Sequence, residues 1–222
     1  MKTAVISLGG SLIVPDNIDI SFLKKFRKII INFARENRII VVAGGGEINR
    51  EYNKAARKIA KIDNKDLDWL GIAATKMNAE LLRVLFSKHA YEKVVDNPKA
   101  KIKTGKKIII GSGSVPGFSS DLDAVLLAKN FGAKKVINMT NVDYVYDKDP
   151  KYGHAKKFRE IRWKDYMNII GKKWKPRLST PFDPVASKKA KQLGIKAVII
   201  GKNLENLKKV LHGKKFKGTT IK

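Results

Sequence analysis

The chain has 222 residues, 43% hydrophobic and 30% charged, with 47 lysines and arginines against 20 aspartates and glutamates for a formal net charge of +27. That length allows one sizeable core, or two lobes sharing a sheet, and excludes two independent large domains; that composition excludes a disordered chain. The absence of cysteine excludes disulfides, thiolate nucleophiles and Cys-ligated zinc or iron–sulfur sites, and fits a reducing compartment.

Thr3–Leu8 reads as a short apolar strand stopped by Gly9-Gly10-Ser11, with Pro15 and Asp16 breaking the chain beyond it. Phe22, Phe26, Ile29, Ile30 and Phe33 recur at helical spacing, which predicts an amphipathic helix over 21–37. A buried strand at 39–43 runs into Gly44-Gly45-Gly46, and helices are expected at 47–60 and 65–86, the second with Asp68, Ile72, Thr75, Ala79 and Leu82 along one side. A short strand at 94–95, a loop or hairpin tip at 99–107, a strand at 107–110, a glycine, serine and proline turn from Gly111 to Ser120 and a helix at 121–131 follow. The second half repeats the alternation: a strand at 136–139, a polar loop at 140–153, helices at 163–170 and 183–193, a strand at 197–200, a helix at 204–211 and a last strand near 219–221. Such β, glycine turn, α alternation implies a mainly parallel sheet covered by helices.

Three glycine-rich turns follow strands. In such turns the missing side chains let backbone N–H groups approach a phosphate, and a helix N-terminus adds a favourable dipole. Taken singly, the first is equally a tight turn, the second a helix-capping geometry and the third an N-cap in which Ser120 or Asp121 caps the next helix. Neither of the first two matches the P-loop or the G-x-G-x-x-G dinucleotide pattern. His89, His154 and His212 are scattered and match no ligand spacing, so no protein-built metal site is expected.

The opening Met1–Gly10 is too short and too glycine-rich for a secretory signal, and no run approaches the roughly 20 apolar residues of a membrane span, so a soluble, cytoplasmic protein is expected. The positive charge is spread over Lys24–Lys28, Lys99–Lys107 and Lys208–Lys217 and reads as a solvated lysine-rich surface rather than a nucleic-acid footprint.

The order of motifs is more specific than any one of them. A G-G-S turn at Gly9–Ser11, G-G-G followed by Arg50 and Tyr52, D-x-x-G-I at Asp68–Ile72 with Thr75 and Asn78 after it, P-G-x-S-S-D at Pro116–Asp121, T-N-V-D-x-V-Y-x-x-D-P at Thr140–Pro150, D-P-x-A at Asp183–Ala186 and G-T-T-I at Gly218–Ile221 cover nearly the whole chain. In these motifs the sequence resembles the amino-acid kinase family, and within it the archaeal UMP kinase branch.

The resemblance implies a three-layer αβα sandwich with a mainly parallel central sheet, an acceptor lobe over 1–135 and an ATP lobe over 136–222, assembled as a hexamer of three dimers. It implies transfer of the γ-phosphoryl of ATP, with Mg²⁺, to UMP. By position, Gly9, Gly10, Ser11, Gly46 and Arg50 face the ATP phosphates, and Thr140, Asn141, Tyr146 and Asp149 match the ATP nucleoside pocket. Gly45, Asp68 and the turn Ser114, Val115, Pro116, Gly117, Phe118, Ser119 and Ser120 match the UMP side. Asp121, Arg50 and Gly10 match the catalytic positions, Asp121 as an orienting carboxylate, with Lys76 a further candidate cation.

Three features depart from relatives. Ser7 stands where many carry a lysine, although archaeal UMP kinases resemble this chain in lacking it; Tyr144 replaces a usual glycine and would be strained if that position needs a positive φ; the basic stretch 172–177 is unlike relatives. Rival readings are the same fold acting on isopentenyl phosphate or an amino acid, a nucleotide-responsive binding module, and a basic nucleic-acid-associated protein.

Overall fold

The computed structural model describes residues 1–148, 153–171 and 180–222. Its elements in chain order are β1 (Thr3–Leu8), α1 (Gly10–Ile13), α2 (Ile20–Phe33), β2 (Arg38–Ala43), α3 (Gly46–Ile59), α4 (Asn64–Phe86), β3 (Ile108–Gly111), α5 (Ser120–Asn130), β4 (Lys135–Met139), β5 (Val145–Tyr146), β6 (Lys157–Phe158), β7 (Glu160–Ile161), α6 (Trp163–Ile170), α7 (Pro184–Gln192), β8 (Lys196–Ile200), α8 (Leu204–Leu211) and β9 (Thr219–Ile221).

One sheet has the order β3-β2-β1-β4-β8-β9-β7. The first five strands are parallel, β9 runs antiparallel to β8, and β7 is parallel to β9. The long strands are apolar on both faces because helices cover both. On one face Ile6, Leu8, Ile39 and Val41 pack with Phe26 of α2, Phe86 of α4 and Leu207 of α8; on the other Val5, Ile40 and Val42 pack with Leu127 of α5, Tyr166 of α6 and Ala186 of α7. The three-layer αβα architecture follows, as expected.

The sheet order turns back after β1: the chain adds β2 and β3 on one side, then crosses to β4 and β8 on the other. In open parallel sheets the crevice beyond the carboxyl ends of the strands at such a reversal is where ligands bind.

Several boundaries shift for local reasons. The helix expected to 37 ends at Phe33, where Asn37 Nδ2 donates to the Phe33 carbonyl at 3.3 Å and the chain turns into β2. The expected strand at 94–95 is a single bridge from Val95 to Gly111, and 99–107 is loop. The cap of α5 is Ser119, not Ser120 or Asp121, its Oγ accepting from Leu122 N at 3.1 Å. Tyr144 is not strained, since Ser87 and His154 are the non-glycine residues with positive φ among the described residues. Its ring meets Tyr146 edge-on at 6.4 Å, and the Lys157 ammonium lies 5.2 Å from its centre. The 172–177 stretch lies outside the described residues.

Candidate active site

The glycine turns converge beyond the carboxyl ends of β1, β2 and β3, and the first two do so by direct backbone contact. A Cβ on Gly10 would lie 1.9 Å from Gly46 N and 2.7 Å from Gly44 C; one on Gly44 would lie 2.5 Å from Gly10 N. No side chain fits between them. Gly46 also has φ +68°, a region glycine occupies without penalty. On the other side a Cβ on Gly9 would lie 2.8 Å from the Met139 carbonyl, which closes the first turn onto the end of β4.

Helix α4 holds the second and third turns from one face. Asn78 Nδ2 donates to the carbonyls of Gly44 at 2.8 Å and Gly45 at 3.1 Å. Thr75 Oγ1 accepts from Gly113 N at 2.9 Å, and Asp68 Oδ2 accepts from Gly117 N at 2.8 Å. Residues three and seven apart share a helix face, so the spacing of Asp68, Thr75 and Asn78 is what lets one helix anchor both turns.

On one side of this junction lies a cavity of about 240 Å³. Its walls include Gly45, Asp68, Phe118, Ser119, Ser120 and Asp121, all expected on the acceptor side or at the catalytic centre. Asn49, Asn53 and Arg57 of α3, together with Asp183, also line it and were not foreseen. Their spacing of four along α3 was the available signal, since it puts them on one helix face.

On the other side a cavity of about 610 Å³ is lined by Ser11, Glu47, Arg50, Asn141, Asp143 and Lys202, among others. Ser11, Arg50 and Asn141 were expected there; Lys202, just past β8, was not. Arg50 Nε donates to Glu47 at 2.5 Å, and this bond holds the Glu47 carboxyl below the usual carboxylate range. Thr140 Oγ1 donates to Asn141 Oδ1 at 3.2 Å, and Tyr146 lies on β5. Gly9, Gly10 and Gly46 line neither cavity; their sequence neighbours do, Gly45 on one side and Ser11 and Glu47 on the other.

Asp121 ties the strand ends together. Its Oδ1 accepts from Ser7 Oγ at 2.7 Å and Asn138 Nδ2 at 3.1 Å, and its Oδ2 accepts from Asp183 N at 3.3 Å. Asp183 caps α7 through Val185 N at 2.7 Å and Ala186 N at 3.0 Å, and its other oxygen accepts from Ser119 Oγ. Tyr166 fixes the approach to Asp183, its hydroxyl donating to the Phe182 carbonyl at 2.7 Å and accepting from Phe182 N at 2.8 Å. Burial first, and then the neighbouring carboxylate for Asp121, pushes the Asp121 and Asp183 carboxyls upward. Asp123, fully buried with only Ser114 Oγ on its Oδ1 at 2.6 Å, is pushed up to about 7, chiefly by burial. Among the described residues no lysine or arginine forms an ion pair with any of the three.

Six further expected residues are not found at the cavities. Lys76 pairs with Asp96 at 2.8 Å and lines neither cavity. Ser114 is engaged with Asp123, and Val115, Pro116 and Gly117 do not line the cavity. Asp149 lies outside the described residues.

Residues 2–201 match the model of the Amino acid kinase family. The chain is 36% identical over 222 residues to a uridylate kinase of Pyrococcus abyssi, with 98% of each chain covered, and 34% identical over 227 residues to one of Methanospirillum hungatei, covering 100% of this chain and 95% of that one. Its fold superposes on the crystal structure of a uridylate kinase from Archaeoglobus fulgidus with TM-score 0.85 and 33% identity, all of both chains covered.

Proposed function

The chain belongs to the amino acid kinase family, and from that premise we propose that it is an ATP-dependent UMP kinase, moving the γ-phosphoryl of ATP to the phosphate of UMP to give ADP and UDP in pyrimidine nucleotide synthesis. The observation that carries this reading is the meeting of two cavities across a junction of bare glycine backbone, with Asp121 lining one and Arg50 the other. A donor and an acceptor seated in them lie end to end.

UMP occupies the smaller cavity, against Gly45, Asp68 and the 114–120 turn; ATP occupies the larger, against Ser11, Arg50 and Asn141, with Gly9, Gly10, Gly46, Thr140, Tyr146 and Asp149 completing its site. Residues 1–135 then supply most of the acceptor side, with Asp183 from the second half, while the nucleotide side draws Ser11 and Arg50 from the first half and Asn141 and Lys202 from 136–222. A phosphate monoester has its second pKa near about 6, so UMP is largely dianionic at neutral pH and needs no general base. What remains is alignment and charge neutralisation. Glycine turns locked against one another supply alignment. Arg50 and Lys202 supply positive charge on the donor side, and Arg57 on the acceptor side. Asp121 orients the ends of β1, β4 and α7 rather than accepting a proton.

Among the described residues no group of three or more His, Asp or Glu side chains is placed to hold a metal ion. Mg²⁺ is expected to enter with ATP. Bound so, it adds positive charge to the phosphates.

Copies of the chain associate through α3 and α4, as in a hexamer of three dimers. Trp69, Met77 and Val84 stand exposed along one face of α4, and Tyr52 and Ile59 along one face of α3. Among the described residues no helix is long and apolar enough to cross a membrane, and a cytoplasmic location fits the absence of cysteine. The test of the reading is ADP release with Mg-ATP over UMP, CMP, dTMP, isopentenyl phosphate and glutamate. Turnover of UMP well above the others is expected; turnover of isopentenyl phosphate or glutamate in its place would overturn it.

A further inference from the structure

We propose that the edge of the central sheet opposite the candidate active site is a binding surface for the phosphate backbone of duplex nucleic acid. The fold gathers there cations that lie far apart in the sequence. Six adjacent strands each bring a cation to this edge: Lys107 at β3, Arg38 at β2, Lys2 at β1, Lys135 at β4, Lys196 at β8 and Lys222 at β9. The register fixes their order, with Lys135 directly opposite Lys196, Arg38 N bonded to the Lys2 carbonyl at 2.9 Å and Ile39 N to the Lys107 carbonyl at 2.8 Å. Strands lie about 4.8 Å apart, so the row is ~24 Å long.

Compensating charge is sparse: Glu160 pairs with Lys222 at 2.7 Å, while Lys107 and Lys135 donate to the backbone carbonyls of Arg35 and Val210 and keep their charge uncancelled. The loops that close this edge, residues 34–38, 104–107, 131–135 and 192–196, hold seven lysines and arginines and one carboxylate, Glu36. The carboxyl edge, by contrast, holds Asp68, Asp121, Asp143 and Asp183 beside its cations. The two ends of the sheet are electrostatically distinct, and the site for small anions does not absorb the charge at the far end.

Length and chemistry select the partner. A 24 Å row matches about seven phosphates of one strand at 3.4 Å each, more than any mononucleotide presents. Among the described residues, Met1 is the one exposed large apolar side chain that adjoins this edge, so the edge offers little to enter a bilayer. The exposed aromatics Tyr52, Trp69 and Phe118 lie on α3, α4 and the 111–120 turn, so nothing is placed to stack unpaired bases either. What the edge offers is charge along a line, which is sequence-independent backbone binding.

The test is fluorescence anisotropy of the full chain with a labelled DNA duplex of about 24 base pairs, from about 50 to 300 mM KCl. Binding is expected with log K falling against log salt at a slope of about −3 or steeper. Lys134, exposed beside the half-buried Lys135, carries charge at the same edge, and the triple variant Lys2→Glu, Lys134→Glu, Lys196→Glu is expected to bind roughly tenfold or more weakly with a shallower slope. The same charge change on α2, Lys24→Glu, Lys25→Glu, Lys28→Glu, is expected to weaken binding by no more than about threefold. Both variants keep kcat for UMP, which shows that they fold. No binding at low salt, equal losses in the two variants, or edge-dependent binding to phosphatidylglycerol vesicles but not to the duplex would overturn the proposal.

Discussion

The Ser7 hydroxyl, at the end of β1, donates a 2.7 Å hydrogen bond to Asp121 Oδ1 at the start of α5, 114 positions away. A neutral donor thus supports a buried carboxylate that is also crowded by Asp183. The bond favours the ionised form of Asp121. Ser7→Ala is therefore expected to cost about 2 kcal/mol of unfolding free energy at pH 8, where Asp121 is charged, and clearly less at pH 5, where it holds its proton. Urea titrations at the two pH values check this, and an equal cost at both would contradict it.

Asp123 has a related pH signature. Its carboxyl is raised from 3.8 to about 7, so between those values the folded state binds a proton that the unfolded chain has released. The stabilisation is complete below about pH 4, declines as pH rises to about 7, and is gone above it. Asp123→Asn removes this titration and keeps an acceptor for Ser114. Its melting temperature is expected to fall less between pH 5 and 7.5 than that of the unaltered chain, by calorimetry; parallel curves would refute the assignment.

Gly10→Ala forces a methyl group to within 1.9 Å of the Gly46 backbone nitrogen, where no flexible side chain yields. A loss of roughly 3 kcal/mol or more is expected, with activity falling out of proportion because both cavities share this junction. Gly105→Ala, with nothing within 4 Å of the new Cβ, is expected to stay within about 0.5 kcal/mol.

Asp68 is fastened to Gly117 N at 2.8 Å and lines the smaller cavity. Asp68→Ala is expected to raise KM for UMP about tenfold while KM for ATP moves by less than about twofold. Steady-state kinetics with each substrate varied in turn measures the split, and equal changes would remove Asp68 from the acceptor side.

Trp69→Lys with Met77→Lys places two charges on the exposed face of α4. By light scattering the mass is expected to drop toward the 24.9 kDa of a single chain; an unchanged mass would move the interface elsewhere.

The strands and their turns were legible because Gly9-Gly10, Gly44-Gly45-Gly46 and the 111–120 turn punctuate apolar runs that alternate with helical periodicity. The four-residue α1 and the two-residue β6 and β7 were not, since elements that short carry no measurable period. Asp68, Thr75 and Asn78 were legible as a motif, but their work as backbone anchors was not, because their acceptors and donors lie in turns 33 to 49 positions away. Asn49, Asn53 and Arg57 look in sequence like the solvated face of a helix; only the packing of α3 against α4 turns that face into a cavity wall.

The contact between Gly10 and Gly46 leaves no slack for a hinge. Two backbones already touching cannot part without separating α3 from α1, so the partition between the two cavities is a fixed wall of the fold. Any widening of the smaller cavity would have to come from the 111–120 turn instead, which two hydrogen bonds, to the side chains of Thr75 and Asp68, moor to α4.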